Sequence, residues 1–322
     1  MWNPPWLMIL MWPALRTSFE TSALSWFLLQ IVLLCGITAM APVALGRTGL
    51  SLLARGAITV SFYPILECLG WGQLSIALTF TLFASLWLAS LKSYFAAGVA
   101  IAPLTTKPHL FFLCAVPALM WLKDLDRSSR SRFFLGAVVS LGALAGGAEY
   151  MWPNSTSWWV ESMMHPHLQP GTTSFAMWQT ATITTCVRKL CELASGTVPM
   201  WPLWAVPTIA FTATCAIVWL NRDKLVLQTL APAILCLSLV TSNYGWLYDY
   251  SLLLPVQFLI VYRALETTTG RSARFIIISA TAGIQLTAFA LGSFTTSSQL
   301  SFTWLPLAIF AVHIFSQRTR GG

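Results

Sequence analysis

The chain has 322 residues, 57% apolar and 9% charged, against the roughly 25% charged of a soluble domain. So few charges cannot cover a water-facing surface, which excludes soluble enzymes and cytosolic nucleic-acid binders. The mean hydropathy of +0.71, with many apolar runs near the ~17 to 25 residues that cross a bilayer core, predicts an all-α polytopic membrane protein; the net charge of +8 then belongs to cytoplasmic loops.

Met1 to Arg16 is interrupted by Pro4, Pro5 and Pro13 and has no early Lys or Arg, so it reads neither as a signal peptide nor as an ordinary first span. Apolar runs then predict spans at 24–43, 52–70, 74–90, 94–106, 108–122, 133–150, 200–220, 226–242, 249–263, 274–293 and 301–317, about eleven in all. The run 94–106 is short for a full crossing. It and 108–122 read as a broken or partly inserted pair, tolerated only where protein or a cavity shields the backbone.

Lys123, Arg127, Arg130 and Arg132 form the densest basic loop, which the positive-inside rule assigns to the cytoplasm. Counting crossings from there places Arg47/Arg55, Lys92, Arg222/Lys224, Arg263/Arg271/Arg274 and Arg318/Arg320 on that same side, with a cytoplasmic C-terminus. Arg16, Lys107, Arg188 and Lys189 then face outward. The whole chain, 1–322, reads as a single transmembrane domain with one long extracytoplasmic excursion at about 151–199, carrying Trp152, Trp158, Trp159, His165, His167 and a partly helical stretch around Arg188 to Glu192. Residues 2–20 also fall outside, which predicts a further span upstream of Met1.

Five of the seven cysteines lie in apolar runs, and no CxxC pair occurs. Cys186 and Cys191 sit in a polar stretch where a disulfide is an open alternative. The His165-Pro166-His167 pair lacks a clear third ligand, so no metal site is assigned; no cofactor is called for, and a divalent metal requirement stays open. No phosphate-cradling glycine motif indicates a cytosolic nucleotide site. Of the sixteen tryptophans, only Trp87, Trp121 and Trp219 map to the inner half, an asymmetry that either sugar stacking or lipid packing explains.

Three predicted spans open at the outer face with polar residues, where charge is costly and therefore points to function. Gln73 follows Gly70-Trp71-Gly72, Lys107-Pro108-His109 opens another, and Asp249 follows Asn243 to Tyr248. Proline favours the first helical position, so Pro108 predicts a helix start whose dipole and free amides converge with the Lys107 cation on an anion site. The plainer reading is a Lys107 that snorkels to the interface. Asp249 is the candidate catalytic carboxylate, able to orient a sugar hydroxyl or take its proton, against the plainer reading of a helix-start charge. Glu67 and Glu149 lie near outer span ends and are placed to line a cavity. Glu20, Glu161 and Glu192 read as solvated loop acids.

Asn3-Pro4-Pro5 with Pro13 downstream, Gly72-Gln73, Leu104-Thr105-Thr106-Lys107-Pro108-His109 and Ser242-Asn243-Tyr244-Gly245-Trp246-Leu247-Tyr248-Asp249, taken in this order, resemble glycosyltransferase family 87. The resemblance implies a C-type membrane glycosyltransferase of a bacterial cytoplasmic membrane with its active face outside. It implies a polyprenyl-phosphate donor of mannose or an arabinofuranose-like sugar, a glycan or glycolipid acceptor, and membrane lipid but no nucleic acid as partners. The family's Lys-Pro motif falls on Lys107 and Pro108, with His109 where the family more often has a glutamine-like residue, and its Tyr-Asp motif on Tyr248 and Asp249. On this reading Lys107, with His109, meets the departing phosphate, and Gln73, Trp246 and Asp249 shape the sugar pocket. The general base is expected in an acidic first external loop, with the span before it, upstream of Asn3. A truncated, inactive copy is the alternative that this departure raises. A transporter or flippase is another, and it predicts polar residues along the full depth of several spans rather than at one face.

Overall fold

The computed structural model describes residues 4–11, 17–164, 179–220, 227–266, 269–294 and 299–318. All regular structure among them is helical: α1 (Trp6–Met11), α2 (Phe19–Ala44), α3 (Leu52–Ser61), α4 (Tyr63–Gly70), α5 (Ser75–Ser90), α6 (Tyr94–Ile101), α7 (Ala115–Asp124), α8 (Arg127–Met151), α9 (Ser155–Met164), α10 (Ile183–Ser195), α11 (Pro202–Leu220), α12 (Leu227–Thr241), α13 (Leu254–Leu265), α14 (Arg271–Phe294) and α15 (Trp304–Arg318). Short 3₁₀ segments occupy Ala102–Thr106, Pro108–Leu110, Leu247–Leu253 and Gln299–Phe302. Helix starts carry the caps their sequences supply: Ser18, Ser51, Asp126 and Thr182 each accept the backbone N–H three residues on.

Each predicted apolar run falls on helical structure, but the count of about eleven crossings is corrected. Among the described residues, five helical stretches are long and apolar enough to cross a membrane: α2, α8, α11, α14 and α15 with its preceding turn. They become six if α3 and α4, bent by 67° at Phe62, form one broken span. Prolines account for much of the shortfall. Pro64 stands in the first turn of α4, and Pro103 and Pro108 break the region after α6 into 3₁₀ pieces, because each removes a backbone donor.

Both long and short helices present large apolar side chains outward, with Leu53 of α3 84%, and Phe275 and Leu286 of α14 74% and 70%, exposed. A surface of this kind suits acyl chains rather than water. Inside it, α13 is the most enclosed α-helix among the described residues, with ten of its 12 residues buried. It packs beside α12, α14 and α15 and directly continues the Leu247–Leu253 segment, which rests on α4 and α5. Against α8 lies α6, at a backbone approach that only glycine permits. A Cβ on Gly98 would stand 2.0 Å from the Phe133 carbonyl oxygen, and one on Gly136 2.0 Å from that of Phe95.

Polar groups do not gather at one end alone, as the sequence reading had them. Arg263 and His313 are buried near the far end of α13, with the guanidinium 3.2 Å from the imidazole Nδ1. Within the segment 151–199, α10 buries Thr184, Thr185 and Arg188 and leaves Leu190 and Leu193 exposed. Cys186 and Cys191 are both free thiols, and His165 and His167 lie outside the described residues.

Candidate functional site

Two loops and one helix start meet at a single carboxylate. Asp249 sits on the third position of the Leu247–Leu253 turn, where its Oδ2 accepts the Trp246 backbone N–H at 3.0 Å and so fixes the carboxyl plane. Its Oδ1 accepts the Ser75 hydroxyl, from the first residue of α5, at 2.5 Å. The same oxygen takes the Lys107 ammonium at 2.6 Å. Both partners of this ion pair are out of water, with side chains 8% and 1% exposed. Lys107 also lies 3.5 Å from the Ser75 hydroxyl and stands over the Tyr248 ring, 5.0 Å from its centroid.

Aromatic rings continue the site. Trp246 and Tyr248 stack at 6.2 Å with 14° between planes, and His109 lies 3.9 Å from the Tyr244 ring. The loop that carries them is held from outside. Gly245 O accepts Ala181 N at 3.0 Å, Gln299 Oε1 accepts Leu247 N at 2.8 Å, and the Tyr250 hydroxyl donates to Ala181 O.

Gln73 lies two residues before Ser75 at the same helix mouth. Its backbone exchanges with Cys68, N–H to carbonyl at 3.0 Å and thiol to carbonyl at 3.3 Å, and the residue is half-buried. Glycine at position 72, with φ 61, makes this turn, and Trp26 pins it by donating to Gly72 O at 2.8 Å. The structure thus brings the mouths near Gln73, Lys107 and Asp249 together, with His109, Trp246 and Tyr248 around them.

One expectation needs correction. Pro108 starts only a three-residue 3₁₀ turn, Pro108–Leu110, whose following amides are spent within it: Leu110 N bonds Lys107 O and Phe111 N bonds Pro108 O, both at 3.1 Å. So short a turn gathers little dipole. The positive charge at this point is that of Lys107, and Asp249 balances it.

Residues 2–243 match the sequence profile described as glycosyltransferase family 87. The chain belongs to glycosyltransferase family 87. No curated protein and no solved structure matches it. The family match covers Gln73, Lys107 and His109 and stops short of Trp246, Tyr248 and Asp249, which join the site by geometry alone. Ser75 is the residue that sequence reasoning missed, because one serine in an apolar run carries no pattern. The family's chemistry is glycosyl transfer, and a buried lysine steadied by a carboxylate and ringed by aromatic faces suits a phosphorylated sugar.

Of the other acids near span ends, Glu149 lines a shallow, open surface cavity of about 660 Å³ with Asn154, Ser157 and Glu161. Its carboxylate is occupied by the backbone amides of Asn154 and Thr156. Glu67 is held by the Tyr63 hydroxyl and the Trp71 indole. Among the described residues no group of three potential metal ligands occurs.

Proposed function

We propose that this family 87 chain moves a sugar, mannose or arabinofuranose-like, from a polyprenyl-phosphate carrier to a glycan or glycolipid on the outer side of the cytoplasmic membrane. The observation that carries the reading is the buried Lys107–Asp249 pair where two loops and the start of α5 meet. An ammonium has three N–H donors, and Asp249 occupies one strongly, so Lys107 keeps donors for an incoming phosphate oxygen.

In the reaction, the bond from the anomeric carbon to the carrier phosphate oxygen breaks and a bond from that carbon to an acceptor oxygen forms. The acceptor proton passes to a base, and the polyprenyl phosphate leaves with the bonding electrons. Charge builds on the departing phosphate, where a preplaced cation in a low-dielectric site contributes several kcal/mol. Lys107 takes that role, and His109 adds a donor beside it. Trp246 and Tyr248 offer stacking faces for the sugar, and Gln73 an amide for its hydroxyls. Asp249 began as the candidate base; fully engaged, it serves better to hold the ammonium in place. The catalytic base remains unassigned.

The cavity at Glu149 and Glu161 suits a hydroxyl-rich acceptor. Packed against both α8 and the 3₁₀ segment that leads to Lys107, α1 supports placing that cavity at the same end of the bundle. Membranes carrying the chain, incubated with radiolabelled polyprenyl-phosphate mannose or arabinofuranose, should pass label to an endogenous glycan or glycolipid. A transfer that proceeds only from a nucleotide sugar would remove the lipid-linked donor from the proposal.

A further inference from the structure

At the end of α13 opposite Asp249 lies a second cationic site that the transfer chemistry does not use. The 12 residues of this helix separate the two by about 18 Å. Arg47, in the loop between α2 and α3, pairs with Glu266 just past the helix end. Arg274 of α14 donates to the backbone carbonyl of Glu266 at 3.4 Å. Arg55 of α3 stands against the Tyr262 side chain, one turn before Glu266 on the same face of α13. Arg47 thus meets the Glu266 carboxylate, Arg274 its backbone and Arg55 the turn before it, three guanidinium groups near one carboxylate at one helix end.

Their bonding is incomplete. Arg55 Nε and Nη1 and Arg274 Nε are shielded from water and have no hydrogen-bond partner among the described residues. Buried donors of this kind are costly unless something accepts from them, and guanidinium forks match phosphate oxygens bidentately. The two helices that carry Arg55 and Arg274 also present large apolar side chains outward, with Leu53 of α3 84% and Phe275 of α14 74% exposed. A ligand that satisfies both features has an anionic phosphate and a hydrocarbon tail.

We infer that Arg47, Arg55 and Arg274 form a binding site for the phosphate of an anionic phospholipid, with its acyl chains along α3 and α14. The site lies apart from the Lys107 site and does not depend on the sugar-transfer reading. A basic pocket between spans can gather lipid head groups at a membrane surface, at about a fivefold gain in affinity per arginine.

Native mass spectrometry of the purified full chain, offered equal amounts of dioleoylphosphatidylglycerol and dioleoylphosphatidylcholine, tests this. The anionic lipid should be retained at least about fivefold over the zwitterionic one, and Arg55→Gln with Arg274→Gln should bring the two to parity. Arg55→Lys, which keeps the charge but not the fork, should retain part of the preference, and Gly142→Ala, away from the site on α8, should retain all of it. Equal retention by the unaltered chain would overturn the site without recourse to any variant. A further arm offers inorganic phosphate. If phosphate alone displaces the anionic lipid and protects the protein against heat as well as the lipid does, the site belongs to a free anion and the lipid assignment fails.

Discussion

Lys107 and Asp249 are 142 positions apart in the chain, yet their charged atoms meet at 2.6 Å in a site closed to water. Burying such a pair costs desolvation on both sides, and removing one partner strands the other. Lys107→Ala or Asp249→Ala should therefore destabilise the protein by about 3–5 kcal/mol as well as stop transfer. The double replacement Lys107→Met with Asp249→Leu separates the two effects. Heat denaturation in detergent should show stability largely restored, while label transfer stays absent. Restored transfer would assign the pair a packing role only.

Ser75 extends the same logic. Its hydroxyl donates at 2.5 Å to the carboxylate oxygen that also holds Lys107. Ser75→Ala removes a hydrogen bond to a charged group, worth about 1.5–3 kcal/mol. If Ser75 positions the ammonium, turnover should fall about tenfold or more with little change in donor KM, and Ser75→Thr should recover part of it. A loss of stability without loss of turnover would make the serine purely structural.

The closeness of α6 and α8 gives a contrast among glycines. Alanine at Gly98 or Gly136 must push a backbone carbonyl aside, whereas a Cβ on Gly142 of α8 meets nothing within 4 Å. Gly98→Ala and Gly136→Ala should each cost about 1–3 kcal/mol or more through overpacking. Gly142→Ala should be neutral or gain up to about 1 kcal/mol from helix propensity. Melting temperatures in one detergent check all three, and equal behaviour would contradict the packing of these helices.

Asp126 caps α8 by accepting Ser129 N at 3.0 Å, and the Ser129 side chain together with this backbone bond holds its carboxyl below the usual aspartate range. A depressed folded value means the cap's contribution is present above the ordinary aspartate range and disappears as pH falls through the folded one. Asp126→Asn retains a capping oxygen without a titrating charge. Melting temperature should then depend less on acid pH in this variant than in the parent; unchanged dependence would show that Asp126 is not the titrating group.

How much was readable in advance varies by element. Apolar runs located the helices, because burial in lipid or protein selects the same side chains over each whole segment. Length was less legible: Pro64, Pro103 and Pro108 end helices inside runs that stay apolar, so hydropathy overcounted the crossings. The polar residues Gln73, Lys107 and Asp249 stood out against their surroundings, and the fold does bring their segments together. That Lys107 and Asp249 bond each other was hidden, since pairing across 142 positions leaves no local pattern. Pro108 misled for a physical reason: proline suits the first turn of α and 3₁₀ helices alike. The small-residue signal at Gly98 and Gly136 was present in the sequence and went unread.

The central claim is that Lys107 neutralises the phosphate leaving a lipid-linked sugar. The most direct test is single-turnover transfer from radiolabelled polyprenyl-phosphate sugar by purified chain in proteoliposomes, with Lys107→Ala compared to the unaltered protein at matched folded amount. The account predicts transfer by the unaltered chain and a loss of about a thousandfold or more in the variant, the scale set by a charge-stabilising group worth roughly 4 kcal/mol. Transfer at an undiminished rate by folded Lys107→Ala would contradict it.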